Sequence, residues 1–138
     1  MKHLVLIVED NIDDEELTVR GIKSARADTA VKVVRDGAAA VDYLLGDSTE
    51  CPSLILLDLK LPKVSGLDVL QQVRRNDKTK LMPVVVFTSS DEQADRIGCF
   101  ESGANSFVRK VVDFDGYITC ASAVVDYWLL VNEPCGPP

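Results

Sequence analysis

The runs LILL (54–57) and VVVF (84–87) are apolar at every position. A strand with one wet face alternates apolar and polar residues. An unbroken apolar run marks a strand covered on both faces, as in a parallel sheet with helices above and below. HLVLIV (3–8), AVKVV (30–34) and SFVR (106–109) complete a set of five short β-type runs. Helical periodicity fills the gaps. A first helix is expected over 13–27, with Asp13 as cap, Glu16 completing a capping box, and Leu17, Gly21, Ile22 and Ala25 turned inward. A second, over 37–45, buries Val41, Leu44 and Leu45, and a third, from Gly66, buries Leu67, Leu70 and Val73. The fourth, over 91–102, carries Ala94, Ile97 and Phe100, with Gly98 weakening its middle by up to about 1 kcal/mol relative to Ala. The fifth, over 113–131, gathers Phe114, Tyr117, Ile118, Ala121, Val124, Val125 and Trp128 on one face, and NEPCGPP beyond it cannot continue a helix. Strand and helix alternate five times. With right-handed crossovers this predicts an α/β fold, a doubly wound five-stranded parallel sheet with helices on both faces. One domain over 1–132 with a short tail at 133–138 is expected.

Composition narrows the function. The 138 residues carry a net charge of −7, which argues against a nucleic-acid or anionic-membrane surface and suits a metal cation or a basic partner. LVLIV is too short for a signal-peptide core, and no stretch approaches a membrane-spanning length of about 20 residues. Cys51, Cys99, Cys120 and Cys135 form no C-x-x-C pair and read as reduced packing thiols of a cytoplasmic protein. His3 is the only histidine, so no histidine triad or histidine-rich zinc site can form.

In an open parallel sheet, ligands bind outside the carboxyl ends of the strands. Glu9, Asp10 and Asn11 follow strand one, Asp58 follows strand three, Thr88, Ser89 and Ser90 follow strand four, and Lys110 lies just past strand five. Taken singly, each reads as a cap, a turn residue or a solvated charge. Asp13, Asp14 and Glu15 keep that reading, as favourable charge at a helix start. The conjunction differs, because four strand tips deliver complementary groups to one edge. Crowded carboxylates repel unless a cation compensates. Hard oxygens with few protein ligands suit Mg²⁺, and Mg²⁺ with Lys110 balances three acids. Such an edge stabilises phosphate on a carboxylate, which can itself be the nucleophile.

VEDN, LILLDLKLPKVSG, VVVFTSS and GANSFVRK, in this order and spacing, resemble the receiver domain of response regulators in bacterial two-component signalling. The resemblance covers about 4–130 and implies the flavodoxin-like strand order 2-1-3-4-5 with five helices. It implies that Asp58 accepts a phosphoryl group from a histidine kinase. Glu9, Asp10, Asp58 and the backbone carbonyl of Lys60 would hold Mg²⁺. Thr88 and Lys110 would meet the phosphoryl oxygens, Thr88 and Phe107 would form the switch pair, and Lys60 and Ser90 would tune hydrolysis of the aspartyl phosphate. Such a domain is a phosphoacceptor and not an enzyme acting on a separate substrate. Val111 stands where the family usually has a cis proline; a cis bond here would cost about 3–4 kcal/mol, and a trans bond would change the approach of Lys110. EDNIDDEEL, VRDGAAAVDYL, DLKLP and YWL resemble the subgroup of stand-alone receivers paired with phytochrome-type kinases.

A receiver without an effector domain signals through protein contacts. VVDYWLLV is apolar almost all round, which would leave Tyr127, Leu130 and Val131 pointing away from the sheet as a homodimer face with strand five and helix four. The alternative is a tail folded back over them. A degenerate receiver serving only as a docking scaffold is the second reading. An FMN-binding flavodoxin is disfavoured because EDNIDDEE would repel its phosphate. A haloacid-dehalogenase-type phosphatase is disfavoured because it needs a second Asp where Lys60 stands, and its nucleophile normally follows the first strand.

Overall fold

The computed structural model describes residues 3–46 and 50–135. Its elements are β1 (Leu4–Val8), α1 (Ile12–Ala25), β2 (Ala30–Val34), α2 (Gly37–Leu45), β3 (Leu54–Leu57), α3 (Gly66–Arg75), β4 (Val84–Thr88), α4 (Gln93–Glu101), β5 (Ser106–Arg109) and α5 (Phe114–Asp126), followed by a π-helical turn, Tyr127–Val131. All strand pairs are parallel, in the order β2-β1-β3-β4-β5, so the expected topology is the observed one.

Period-two alternation splits the core. Leu6, Val8, Ile55, Leu57 and Val84 point to one face and pack with Ala40 and Leu44 of α2 and Val69, Leu70 and Val73 of α3. Val5, Ile7, Leu54, Leu56 and Val85 point to the other and pack with Ile22 of α1 and Val125 and Leu129 from the last helix. Each fully buried Leu, Ile or Val stabilises by roughly 1.5–3 kcal/mol, which fixes strand register. Gly21 lets α1 approach α5, since a Cβ there would stand 2.5 Å from that of Ala121.

Four details differ from the sequence reading. Asn11, not Asp13, caps α1: its side chain accepts from the Asp14 N–H at 2.9 Å. The helix therefore starts at Ile12, and Asp13 and Asp14 fall in its first turn. In α4 only Cys99 is buried, while Ile97 and Phe100 are half exposed. Cys99 thus takes the inward position, and the apolar pair faces out. Finally, the last helix widens at Tyr127, whose carbonyl accepts from Asn132 N–H five residues on, at 2.7 Å. Leu129 is then buried with Trp128 half covered, and Tyr127, Leu130 and Val131 are exposed. At the start of the same helix, Phe114 is exposed against the expectation and lies under the Arg20 guanidinium.

Candidate functional site

The carboxyl ends of β1, β3, β4 and β5 bring their polar residues to one rim. β1 ends in Val8, whose carbonyl accepts the Asp58 N–H at 3.1 Å, so register between β1 and β3 sets Glu9 beside Asp58. Gly66 seats the loop after Asp58: its N–H donates to the Leu59 carbonyl, and a Cβ there would stand 2.2 Å from the Asp58 carbonyl oxygen. In the same loop Lys63 takes a left-handed φ of 69°, uncommon for a residue with a side chain.

At the centre of the rim is Lys110. Its Nζ lies 2.6 Å from Glu9 Oε1, 2.9 Å from Asp14 Oδ2 and 3.0 Å from Asp58 Oδ2, with the lysine side chain only 6% exposed. The Lys110–Val111 peptide is trans, since no described residue has a cis bond. The lysine nevertheless reaches Asp58, held by its own N–H on the Thr88 carbonyl at 2.7 Å. The altered approach expected of a trans bond thus still ends at the carboxylate.

Burial pushes the Glu9 carboxyl up to about 7; the Lys110 hydrogen bond and charge oppose this, and the charge of Asp58 adds to it. Burial by itself would lower Lys110, but Glu9, Asp58 and Asp14 outweigh it and hold its pKa above the ordinary range. The two shifts fit one picture. One ammonium shared among three carboxylates is firmly charged, yet it cannot fully compensate the most deeply buried acid.

Carboxylate oxygens of Glu9, Asp10 and Asp58 lie within 4.8 Å of one another, Glu9 and Asp58 buried and Asp10 exposed. This all-oxygen set of hard donors, open on one side through Asp10, fits Mg²⁺ or Mn²⁺. The second Asp58 oxygen accepts only a long bond, 3.3 Å, from the Lys60 N–H. Thr88 is fully buried at the end of β4, and its Oγ1 accepts from Ser90 N–H at 3.4 Å. Ser90 donates to Asp95 Oδ2 at 2.5 Å, tying the rim to α4. Phe107 is half-buried on β5, with the Arg96 guanidinium 5.8 Å from its ring centre.

Asp14 is the site residue that sequence reasoning missed. It looked like its neighbours Asp13 and Glu15, and only the cap at Asn11 decides which acid faces the rim. Behind it, its carbonyl accepts from Thr18 Oγ1 at 2.8 Å and from Tyr117 OH at 3.3 Å, and the two hydroxyls lie 3.0 Å apart.

An open sheet in this order, with three acids and a buried lysine converging at the strand ends, is the arrangement that the receiver resemblance implies. Comparison with known proteins agrees. Residues 5–120 match the model of the response regulator receiver domain, and the chain belongs to that family of two-component signalling proteins. Response regulator Rcp1 of Synechocystis sp. is 32% identical over 130 residues, 91% of this chain and 88% of that protein. Its Mn²⁺-bound crystal structure superposes with a TM-score of 0.90 at 30% identity, covering 97% of this chain and 99% of the other. The phosphorylated cyanobacterial phytochrome response regulator RcpA gives 0.93 at 28% identity, covering 99% of this chain and 100% of that one. The bacteriophytochrome response regulator RtBRR is 44% identical with a TM-score of 0.75, covering all of this chain and 86% of the other. Receiver domains bind Mg²⁺ or Mn²⁺ at an acidic site of this kind. Among the described residues, no helix is long and apolar enough to cross a membrane.

Proposed function

We propose that the protein is a stand-alone, cytoplasmic response regulator that takes a phosphoryl group from the phosphohistidine of a histidine kinase onto Asp58. The observation that carries this reading is Lys110, buried and in contact with both Asp58 and Glu9 beside Asp10.

An Asp58 oxygen attacks phosphorus and the P–N bond breaks; the donor ring, protonated on its other nitrogen, leaves with the electron pair as neutral imidazole. The product is an acyl phosphate. Hydrolysis later breaks its P–O bond with water and returns carboxylate and inorganic phosphate. Lys110 donates to a phosphoryl oxygen and offsets the charge gained, as a preorganised cation in a water-poor site. Thr88 offers a hydroxyl to a second oxygen. Glu9, Asp10, Asp58 and the carbonyl of Lys60 would hold Mg²⁺, which when bound neutralises the remaining acids and the phosphoryl oxygens. Lys60 and Ser90 flank the path of the hydrolytic water and tune its access.

Thr88 moving toward the phosphoryl group frees space beside β4, and Phe107 turns in from under Arg96 to fill it. That motion alters the face made by α4, β5 and α5, where Ile97, Phe100, Tyr127, Leu130 and Val131 are exposed. A homodimer forms through Tyr127, Leu130 and Val131. The likeness to RcpA, Rcp1 and RtBRR supports a phytochrome-type kinase as the donor.

Fluoroberyllate, a mimic of bound phosphoryl, separates this reading from a docking scaffold. A receiver binds it in the presence of Mg²⁺ and a scaffold does not. Sedimentation of the chain and of Leu130→Glu tests the dimer: the wild type sediments as a dimer at micromolar concentration and the variant as a monomer. A monomeric wild type contradicts the dimer face.

A further inference from the structure

An ammonium has three N–H donors. On Lys110 all three are engaged, by Glu9, Asp14 and Asp58. For Lys110 to donate to a phosphoryl oxygen, one of these partners must yield. The three are not equivalent. Asp58 is the reacting group and stays beside the phosphoryl. Glu9 is 5% exposed, and its other oxygen accepts the Asn11 N–H at 3.3 Å, so freeing it would strand a buried carboxylate. Asp14 is 31% exposed, and water can take the place of the ammonium at its carboxylate.

Resting on the phosphoacceptor reading above, we infer that Asp14 is a positioning residue, a displaceable counter-ion that holds Lys110 toward α1 and competes with the phosphoryl group for it. The backbone around Asp14 does not depend on that ion pair. Its N–H is capped by Asn11, and its carbonyl is held by Thr18 and Tyr117. The side chain can thus lose Lys110 while the first turn of α1 stays in place. The charge of Asp14 has two opposite consequences at the rim. It adds negative potential that draws in a divalent cation. It also diverts positive charge from the place where phosphoryl oxygens arrive. Removing it weakens binding of the cation and strengthens binding of the phosphoryl group. A purely structural role would move both in the same direction.

The test is calorimetric titration of the whole chain with Mg²⁺ alone, then with fluoroberyllate at saturating Mg²⁺. Asp14→Asn keeps the shape of the side chain and removes its charge. Asp13→Asn makes the same charge change one residue away, on an exposed side chain that is not among the three partners of Lys110. Asp14→Asn is expected to bind Mg²⁺ about twofold more weakly and fluoroberyllate roughly threefold to fivefold more tightly, the range for loss of a partly exposed ion pair. Asp13→Asn is expected to match the wild type in both. Unchanged or weaker fluoroberyllate binding in Asp14→Asn overturns the inference, and so does an equal gain in Asp13→Asn, which would reduce the effect to bulk charge. Should Asp14→Asn not fold, Asp14→Ser is read in the same way, and failure of both to fold shows a structural role and overturns it too. A wild type that does not bind fluoroberyllate with Mg²⁺ overturns the phosphoacceptor reading and this inference with it; a wild type that binds while Asp14→Asn gains nothing overturns the inference alone.

Discussion

Replacing Lys110 with Met keeps most of the apolar stem and removes the one ammonium that holds three carboxylates. Taking one partner out of a buried ion pair generally costs about 3–5 kcal/mol, because the other charge is left uncompensated. The lower end applies here. Glu9 already takes up a proton near pH 7, so it can neutralise itself at little cost once the lysine is gone. A loss of about 3 kcal/mol lowers the melting temperature of a chain this size by roughly 10 °C. The loss depends on pH in a defined direction. In the wild type, folded Glu9 keeps its proton up to about 7, whereas unfolded it releases it near 4.5. The folded state binds more protons across that window, so stability falls as pH rises through it. Lys110, whose pKa is raised, contributes stability present below its unfolded value of 10.5 and lost only at higher pH, outside the window. Without Lys110, whose hydrogen bond and charge lower the Glu9 pKa, Glu9 holds its proton to still higher pH, and the fall in stability extends further up the pH range. Thermal melts in a chelator, at about pH 5 and about pH 8, test this. The gap between wild type and Lys110→Met should be widest at the higher pH and narrow at the lower, and Mg²⁺ should recover much of it. A gap below about 0.5 kcal/mol at the higher pH, or one that ignores pH, refutes the claim that the ammonium compensates buried acids.

Gly66→Ala places a Cβ against the Asp58 carbonyl and the Leu59 Cα, both backbone atoms, so the loop itself must shift. The expected result is a loss of at least about 2 kcal/mol in denaturant unfolding, together with weaker phosphoryl-mimic binding. Tyr117→Phe removes the hydroxyl shared with Thr18 and the Asp14 carbonyl while leaving the ring against Phe87 at a 5.2 Å centroid distance. A loss of about 1 kcal/mol, measured by the same unfolding, is expected, with Thr18→Val in the Tyr117→Phe background costing about 1 kcal/mol more, because the Thr18 hydroxyl still donates to the Asp14 carbonyl.

The sheet was legible because its central strands have no polar face. LILL and VVVF could only sit between two layers of helices, and the acids and the lysine follow those runs directly. Their convergence needed no side-chain detail, since parallel strands put all their carboxyl ends on one edge. Features that depend on a single rotamer or register were not legible. Asp13, Asp14 and Glu15 are chemically alike, and the cap at Asn11 turns Asp14 alone toward Lys110. Apolar spacing in α4 marked Ile97 and Phe100 correctly as one stripe, but spacing does not say whether a stripe meets the core or the solvent. The sequence could not choose between a cis and a trans bond before Val111; strand pairing of β4 with β5 carries Lys110 to Asp58 with the bond trans.

The central claim is that Asp58, flanked by an ammonium and an acidic metal cradle, accepts phosphate. It is tested most directly by incubating the protein with a small-molecule phosphodonor, with and without Mg²⁺, and weighing the intact chain. The mass of one phosphate should be gained by the wild type only when Mg²⁺ is present, and not by Asp58→Asn. Equal labelling of Asp58→Asn, or an unlabelled wild type with Mg²⁺ present, would contradict it.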